Sequence, residues 1–565
     1  MNLSDKSTWI PAIILTLQTI ITEPTEAQDR TQARSMVVSR GGIVATEHPL
    51  ASQAGATILA QGGNAIDAAI AANAAMGVVA PMMCGIGGDL FAIVYEAKSG
   101  KMYGLNASGW APQGLSVEFL KNKGFETMPS KGIHSVTVPG AVDGWEKLNR
   151  RFGKKKLADV LAPAIHFSEK GFPVTELDAE YWAGGESLLR KDENATRAYL
   201  PNDRAPRLGE IFHNADLARS YRQIAAKGRD GFYKGEIAKY FIEYSNRQGG
   251  TMSMEDLAQY SCEWVEPIST TYRGWTVYEI PPNGQGIAAL SMLNLMENFP
   301  LAENGHNSVA ALHVMIEAKK LAYADMLRYV ADPKFNKIPV AGILSKDYAR
   351  QRAKLIDLDK ANCHVESGTP PAAGNDTTYL CAADRDGNMV SLIQSNYGSF
   401  GSGLMADGTG FILQNRGGLF SLDPKHPNHL AGHKRPLHTI IPAMMAKGDV
   451  RIAFGIMGGW NQSQAHAQFV SNVADHKMNI QAALEAPRFS KGSFDGCDVA
   501  VEDRISTAVV HALESKGHQV QVKGSFSQTV GGGQAVMRDF AAGVNYGASD
   551  PRKDGAAIPE PLLKD

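Results

Sequence analysis

The stretch from Gly374 to Ser391, GNDTTYLCAADRDGNMVS, constrains the rest of the chain more than any other. A Gly-Asn-Asp turn signal stops at two threonines, which open an alternating run. Asp386-Gly387-Asn388 then reverses the chain into a second run beginning at Met389. This is the pattern of a tight β-hairpin whose first strand starts at Thr377-Thr378.

A threonine at a strand start suits an unusual chemistry. If the Asp376–Thr377 peptide is cut, Thr377 gains a free α-amine, with a pKa of about 7.7–8.0, beside its own hydroxyl. One residue then carries both nucleophile and base. Before the cut, the same hydroxyl can attack the Asp376 carbonyl and form an ester that water opens. Spacing does not choose between Thr377 and Thr378, and a pair of threonines that merely starts a hairpin fits the same residues.

Composition narrows the classes. With 44% hydrophobic and 20% charged residues the chain is globular in character. Lys and Arg number 56 against 58 Asp and Glu, so nothing in the charge favours a nucleic-acid partner. The basic run Arg150–Lys156 reads as a solvated helix end. No long linker divides the 565 residues, which points to one large body or two interleaved parts. The five cysteines, Cys84, Cys262, Cys363, Cys381 and Cys497, are scattered without CxxC spacing, so neither a disulfide framework nor a zinc site is expected. Residues 1–27 resemble a secretory leader: Trp9–Ile21 is apolar, and small residues near Ala27 suit cleavage. That reading sends the protein to the periplasm or outside the cell. Asp5, Pro11 and Gln18 leave a disordered cytoplasmic extension as the alternative. No later run reaches the ~18 apolar residues of a membrane span.

Along the chain, Gly41–Thr46 reads as a strand, Leu50–Ala60 as a helix, and Ala65–Val79 as an alanine-rich helix capped by Asn64. Gly85-Ile86-Gly87-Gly88-Asp89 lacks a third spaced glycine and precedes a strand, Leu90–Tyr95. It reads as close backbone packing rather than a phosphate cradle. The pattern is mostly helical from Val138 to His364, with its longest periodic segment at Ser308–Ala331 and a strand between Tyr272 and Ile280 on which Trp275 and Val277 alternate with polar neighbours. After Thr377 the chain becomes strand- and glycine-rich, with helices at Ser463–Asp475, Ile480–Ala486 and Ser506–Lys516. Helices before and after a β-rich middle favour an α+β fold of stacked antiparallel sheets covered by helices.

Several residues beyond Thr377 are candidates for chemistry. Ser395 ends the return strand of the hairpin and comes back toward the threonines, where its hydroxyl has donor and acceptor capacity. Gly458-Gly459 follows an apolar run and precedes a helix, so its backbone N–H groups can serve an oxyanion or simply make a turn. Lys434–Thr439 is a rigid polar segment fit to line a pocket. His426, His429, His433 and His438 have spacings compatible with a metal, but Pro427 and Pro436 break any helix that would align them. Neither HExxH nor GxSxG occurs.

The chain resembles the γ-glutamyltransferase family of self-cleaving N-terminal-nucleophile hydrolases. The resemblance rests on Ala45–Ser52, Val138-Pro139-Gly140, Tyr272–Trp275 with Pro281-Pro282, Glu317–Asp325, Lys434–Leu437 and Tyr546–Arg552. It implies a four-layer αββα fold and a cut between Asp376 and Thr377. The large chain would be 28–376 and the small chain 377–565, paired as a heterodimer in one interleaved domain. It makes Thr377 the nucleophile, Ser395 its supporting hydroxyl, and Gly458 and Gly459 the oxyanion hole, with no metal and no cofactor.

The departures concern the substrate head group. Where glutamyl-transferring members use an arginine for the α-carboxylate, this chain has Ser108; where they use an acidic residue for the α-amine, it has Leu419. Two pocket serines become His438 and Thr439, the Gln or Glu position is Arg416, and Tyr397 is counted with the pocket. Losing charge-assisted contacts at both ends of an amino-acid head group costs several kcal/mol, at about 1.5–3 each. The pattern is similar to the acylase and amidase branch, which includes oxamate amidohydrolase and the cephalosporin acylases. The expectation is a small-molecule amide hydrolase, with γ-glutamyl transfer or glutathione hydrolysis as the alternative.

Overall fold

Residues Tyr379 to Ala383 alternate between two interiors, and that alternation accounts for the architecture. Tyr379, Cys381 and Ala383 pack with Ile43, Phe91, Ile93, Met444 and Ala453. Leu380 and Ala382 pack instead with the alanine-rich helix Ala65–Val79 and its neighbours. Successive side chains of a strand point to opposite faces, so this strand lies between a second sheet and a helical layer.

The computed structural model describes residues 32–365 and 376–562. The leader expected at 1–27 and the Gly374-Asn375 turn lie outside the described residues, and of Asp376 and Thr377 only the backbone is described. One seven-stranded sheet runs in the order Ala556–Pro559, Ile43–Thr46, Asp376–Ala383, Met389–Tyr397, Asp89–Glu96, Lys101–Ala107, Glu263–Val265. The other runs Val37–Ser39, Val544–Ser549, Gly533–Asp539, Val450–Ile456, Ala443–Lys447, Trp275–Glu279, Ile268–Tyr272. Neighbouring strands are antiparallel in both sheets. Helices Gly286–Met296, Val309–Tyr329 and Gln462–Ala474 cover the outer face of the second sheet, against Val277, Met445, Phe454 and Ala535. The layer order is therefore helix, sheet, sheet, helix, as expected. Segments from before and after Thr377 alternate within both sheets.

Local chemistry sets the helices that support the site. Asn64 accepts from the N–H groups of Ile66 and Asp67 while the Asp67 carboxylate receives the Asn64 N–H, a reciprocal cap. The helix it opens is buried along its whole length, because small side chains let other backbones approach it on every side.

The strand expected between Tyr272 and Ile280 is Trp275–Glu279; Arg273 and Gly274, with φ of 49° and 80°, turn the chain and leave Tyr272 on the preceding strand. One expectation needs correction. Cys363 and Cys497 form a disulfide across a sequence separation of 134. Spacing gave no sign of that pairing because the fold, not the local sequence, brings the two segments together.

Candidate active site

The strand Asp376–Ala383 meets its partner with a fault in register at Thr377. Asp376 lies opposite Tyr397 and Thr378 opposite Gln394, so the single residue Thr377 faces two, Ser395 and Asn396. This is a β-bulge in the return strand, a device that bends a strand and re-aims its side chains. The bulge continues into Tyr397, whose φ of 78° is unusual for a residue with a side chain. The Tyr397 N–H donates to the Ser395 hydroxyl at 2.8 Å. Ser395 thus stands across from Thr377, as the hairpin reading expected.

Two glycine turns bring backbone close to this point. A Cβ on Gly88 would lie 2.5 Å from the Ser395 carbonyl, and one on Gly87 would lie 2.1 Å from that of Ile412. Close packing is therefore the role of the Gly85–Gly88 cluster. The strand Val450–Ile456 ends in Gly458 and Gly459, with φ of 128° and 56°, conformations that only glycine adopts without strain. The turn is held from two sides: Gln285 Nε2 donates to the Gly459 carbonyl at 2.8 Å, and the Tyr323 hydroxyl donates to the Trp460 carbonyl.

The head-group positions gather around one buried arginine. Arg416 begins a short 3-10 turn, Arg416–Leu419, and has no exposed surface. Its Nη1 donates to the Thr439 hydroxyl at 2.6 Å, and the guanidinium lies 4.3 Å from the Tyr397 ring centre. Its Nε and Nη2 have no hydrogen-bond partner among the described residues. Burial lowers its pKa to about 10, with the Asp89 charge opposing that shift. Leu419 joins Tyr397, Leu437 and Trp460 in an apolar cluster.

Asp89 was not read from the sequence as a site residue. It opens the strand Asp89–Glu96 and pairs in register with Ser395. Its Oδ1 accepts from the Gly109 N–H at 2.9 Å and from Gln414 Nε2 at 2.8 Å. His438 receives the Ile440 N–H on Nδ1, which leaves the Nε2 proton to bond Asp89 Oδ2 at 3.0 Å. Burial raises the Asp89 pKa to about 7, although Arg416 and these donors pull it down. Burial likewise holds His438 well below its ordinary value, so its imidazole is neutral. A carboxylate directly after a glycine turn was the available signal for Asp89.

Ser108 lies next to this group but is engaged elsewhere: its hydroxyl receives Asn283 Nδ2 at 3.1 Å, and its N–H bonds Asn106 Oδ1 at 3.0 Å. Asn283 and Gln285, just beyond Pro281-Pro282, were not among the residues expected at the site. The four clustered histidines do not converge. His433 bonds Asp256 and His438 bonds Asp89, while His426 Nδ1 receives the Asn428 N–H and His429 Nδ1 contacts the His426 carbonyl.

Two stacked antiparallel sheets between helices, with a threonine opening a central strand opposite a bulge, define the class of N-terminal-nucleophile hydrolases. The chain belongs to the Gamma-glutamyltranspeptidase family, whose model matches residues 51–560. It is 38% identical over 529 residues to the glutathione hydrolase-like YwrD proenzyme of Bacillus subtilis (strain 168), covering 92% of this chain and 99% of that one. It is 36% identical over 535 residues to the acylase ACY 1 proenzyme of Pseudomonas sp. (strain SE83), covering 92% and 93%. The solved cephalosporin acylase from Bacillus halodurans superposes with a TM-score of 0.88 at 43% identity, over 96% of this chain and 99% of that one. The family resemblance carried by the sequence motifs is borne out. Among the described residues, no helix is long and apolar enough to cross a membrane.

Proposed function

We propose that the protein is a self-cleaving amide hydrolase acting on acyl groups that carry a carboxylate. The cut before Thr377 frees an α-amine that takes the proton of the Thr377 hydroxyl as that oxygen attacks the substrate carbonyl. The N–H groups of Gly458 and Gly459 steady the oxyanion, and such a donor is typically worth 10²–10³ in rate. The Ser395 hydroxyl supports the nucleophile across the bulge. The amine leaves with the proton held by the Thr377 α-amine, and water then opens the acyl-enzyme.

The observation that carries the substrate reading is the buried Arg416, whose Nε and Nη2 have no partner among the described residues. A buried polar group without a partner costs free energy, and a carboxylate presented in the plane of the guanidinium satisfies both donors at once. The positions of Ser108 and Leu419 offer no charges to a zwitterionic glutamyl head. The names of the acylase and glutathione hydrolase-like relatives frame the two substrate classes to compare.

Intact mass of the purified protein beside Thr377→Ala tests the nucleophile. Two fragments dividing before Thr377, absent from the variant, are expected. Rates on glutaryl, oxamyl and γ-glutamyl amides then test the pocket, and faster turnover of the γ-glutamyl compound would sink the carboxylated-acyl reading.

A further inference from the structure

Cys363 and Cys497 are bonded, with Cα atoms 4.8 Å apart, and the proposed cut before Thr377 falls between them in sequence. We propose that this disulfide covalently joins the large and small chains of the mature protein. The inference rests on the cleavage reading above.

The surroundings are built to hold Cys363 in place. Its carbonyl accepts the Gly496 N–H at 2.9 Å, beside Cys497 on the small-chain side. The Ala361 N–H donates to the Lys516 carbonyl at 2.7 Å, and Lys516 Nζ donates to the Leu358 carbonyl at 2.7 Å. From the large-chain side, helix Val309–Tyr329 supplies Lys320 Nζ to the Asn362 carbonyl at 2.8 Å and Glu317 Oε2 to the Asn362 N–H at 3.3 Å. His313 of the same helix reaches the Asp357 carbonyl at 2.7 Å and His518 of the small-chain part at 2.8 Å. Residues 357–363 are thus clamped between elements of both future chains before the covalent bond is counted.

Formation of the bond is a two-electron oxidation. Each thiol gives up one proton and one electron, and the acceptor is a disulfide oxidant that is reduced to a dithiol through a mixed disulfide. Such oxidants operate in the periplasm and outside the cell, where the leader read at 1–27 would send the chain.

The bond has a physical consequence beyond holding two chain ends. Both sheets already interleave the two chains, so the site does not need the disulfide to assemble. After cleavage, however, a heterodimer without the bond unfolds into two molecules, and its melting temperature rises with protein concentration. With the bond it unfolds as one molecule, and the melting temperature is independent of concentration.

The test is denaturing electrophoresis and intact mass of mature protein expressed with export or oxidised in air, its free thiols blocked with N-ethylmaleimide, with and without dithiothreitol. One species at full mass that separates into two on reduction is expected, together with three blocked cysteines, Cys84, Cys262 and Cys381. Two separate chains without reductant would overturn the inter-chain bond while leaving cleavage intact. A single chain after full reduction would overturn cleavage and the inter-chain claim with it; the count of three or five blocked thiols then reports the bond separately. In the cleaved Cys363→Ser/Cys497→Ser variant the melting temperature should rise over a hundredfold concentration range while that of the parent stays fixed. Equal behaviour of the two would also overturn the proposal.

Discussion

Two buried arginine clusters in this protein look alike by burial and differ in what surrounds the charge. Arg552 donates Nε and Nη2 to Glu502, Nη1 to Asp550 and the Leu484 carbonyl, and Nη2 also to the Ala486 carbonyl. Arg488 adds a further bond to Asp550 at 2.6 Å. Arg416 is equally buried but, among the described residues, has one hydrogen bond, to Thr439, and a tyrosine ring. Burial works against the charge in both places: at Arg552 the carboxylates of Asp550 and Glu502 outweigh it and raise the pKa, while at Arg416, as at Arg488, it lowers the pKa to about 10. A buried guanidinium with every donor matched is a fastener. We propose that Arg416, whose Nε and Nη2 have no partner among the described residues, is instead a receptor, because it lies against Tyr397 of the bulge opposite Thr377.

Replacing Arg416 with methionine should produce the largest effect. Two charge-assisted hydrogen bonds at about 1.5–3 kcal/mol each predict a loss of about 3–6 kcal/mol in kcat/KM on a carboxylated acyl amide, which is 10²-fold or more. An amide with an uncharged acyl group of the same length should lose little. Equal losses on both substrates would make Arg416 a structural residue and dissolve the contrast. Arg552→Met should leave substrate preference unchanged and cost stability, up to about 3–5 kcal/mol, because Glu502 and Asp550 lose the arginine that bridges them and keep only Arg504 and Arg488 respectively. Urea unfolding of the two variants measures this directly, and Arg416→Met should lie within about 1 kcal/mol of the parent.

A third measurement separates the clusters without mutating the fastener. A small dicarboxylate such as glutarate should raise the stability of the parent by about 2.7 kcal/mol at a hundred times its Kd. Arg416→Met should show no such rise, whereas any variant of the Arg552 cluster that remains folded should retain it.

How far the sequence reveals this contrast depends on range. The strand that opens at Thr377, the return of Ser395, the cap at Asn64 and the buried helix Ala65–Val79 were legible because alternation, turn residues and caps act within a few positions. Thr377 was chosen over Thr378 only through the family motif. Asp89 escaped because its partners Gly109, Gln414 and His438 come from three distant segments. The Cys363–Cys497 bond escaped for the same reason. Arg416 was seen as a departure from the glutamyl pattern, but its two open donors emerge only when burial and partners are known.

The smallest expected effect concerns protons. In the folded protein the Asp89 and His438 pair keeps one proton across mild acid, with Asp89 titrating near 7 and His438 neutral. Unfolded, the same two groups have ordinary values of 3.8 and 6.5, so between about pH 4 and 6.5 they also hold one proton, now on the histidine. Equal proton counts leave the pair's contribution to stability flat in that window. Asp89→Asn removes the acid and leaves a neutral buried histidine. The unfolded state then binds the extra proton, and stability should fall as pH drops below 6.5, by up to about 1.4 kcal/mol per pH unit. His438→Gln should do the reverse, losing stability as pH rises from about 4 toward 7. The fastener cluster provides the reference: Glu502 and Asp550 have pKa values held below normal by the two arginines, so its contribution is present above their ordinary range and lost as pH falls through the lowered values. Urea midpoints at pH 5, 6 and 7 should therefore give opposite slopes for Asp89→Asn and His438→Gln, each relative to the parent. An Asp89→Asn slope equal to that of the parent would mean that the two groups do not share a proton and that Arg416 faces a carboxylate fully ionised across this range.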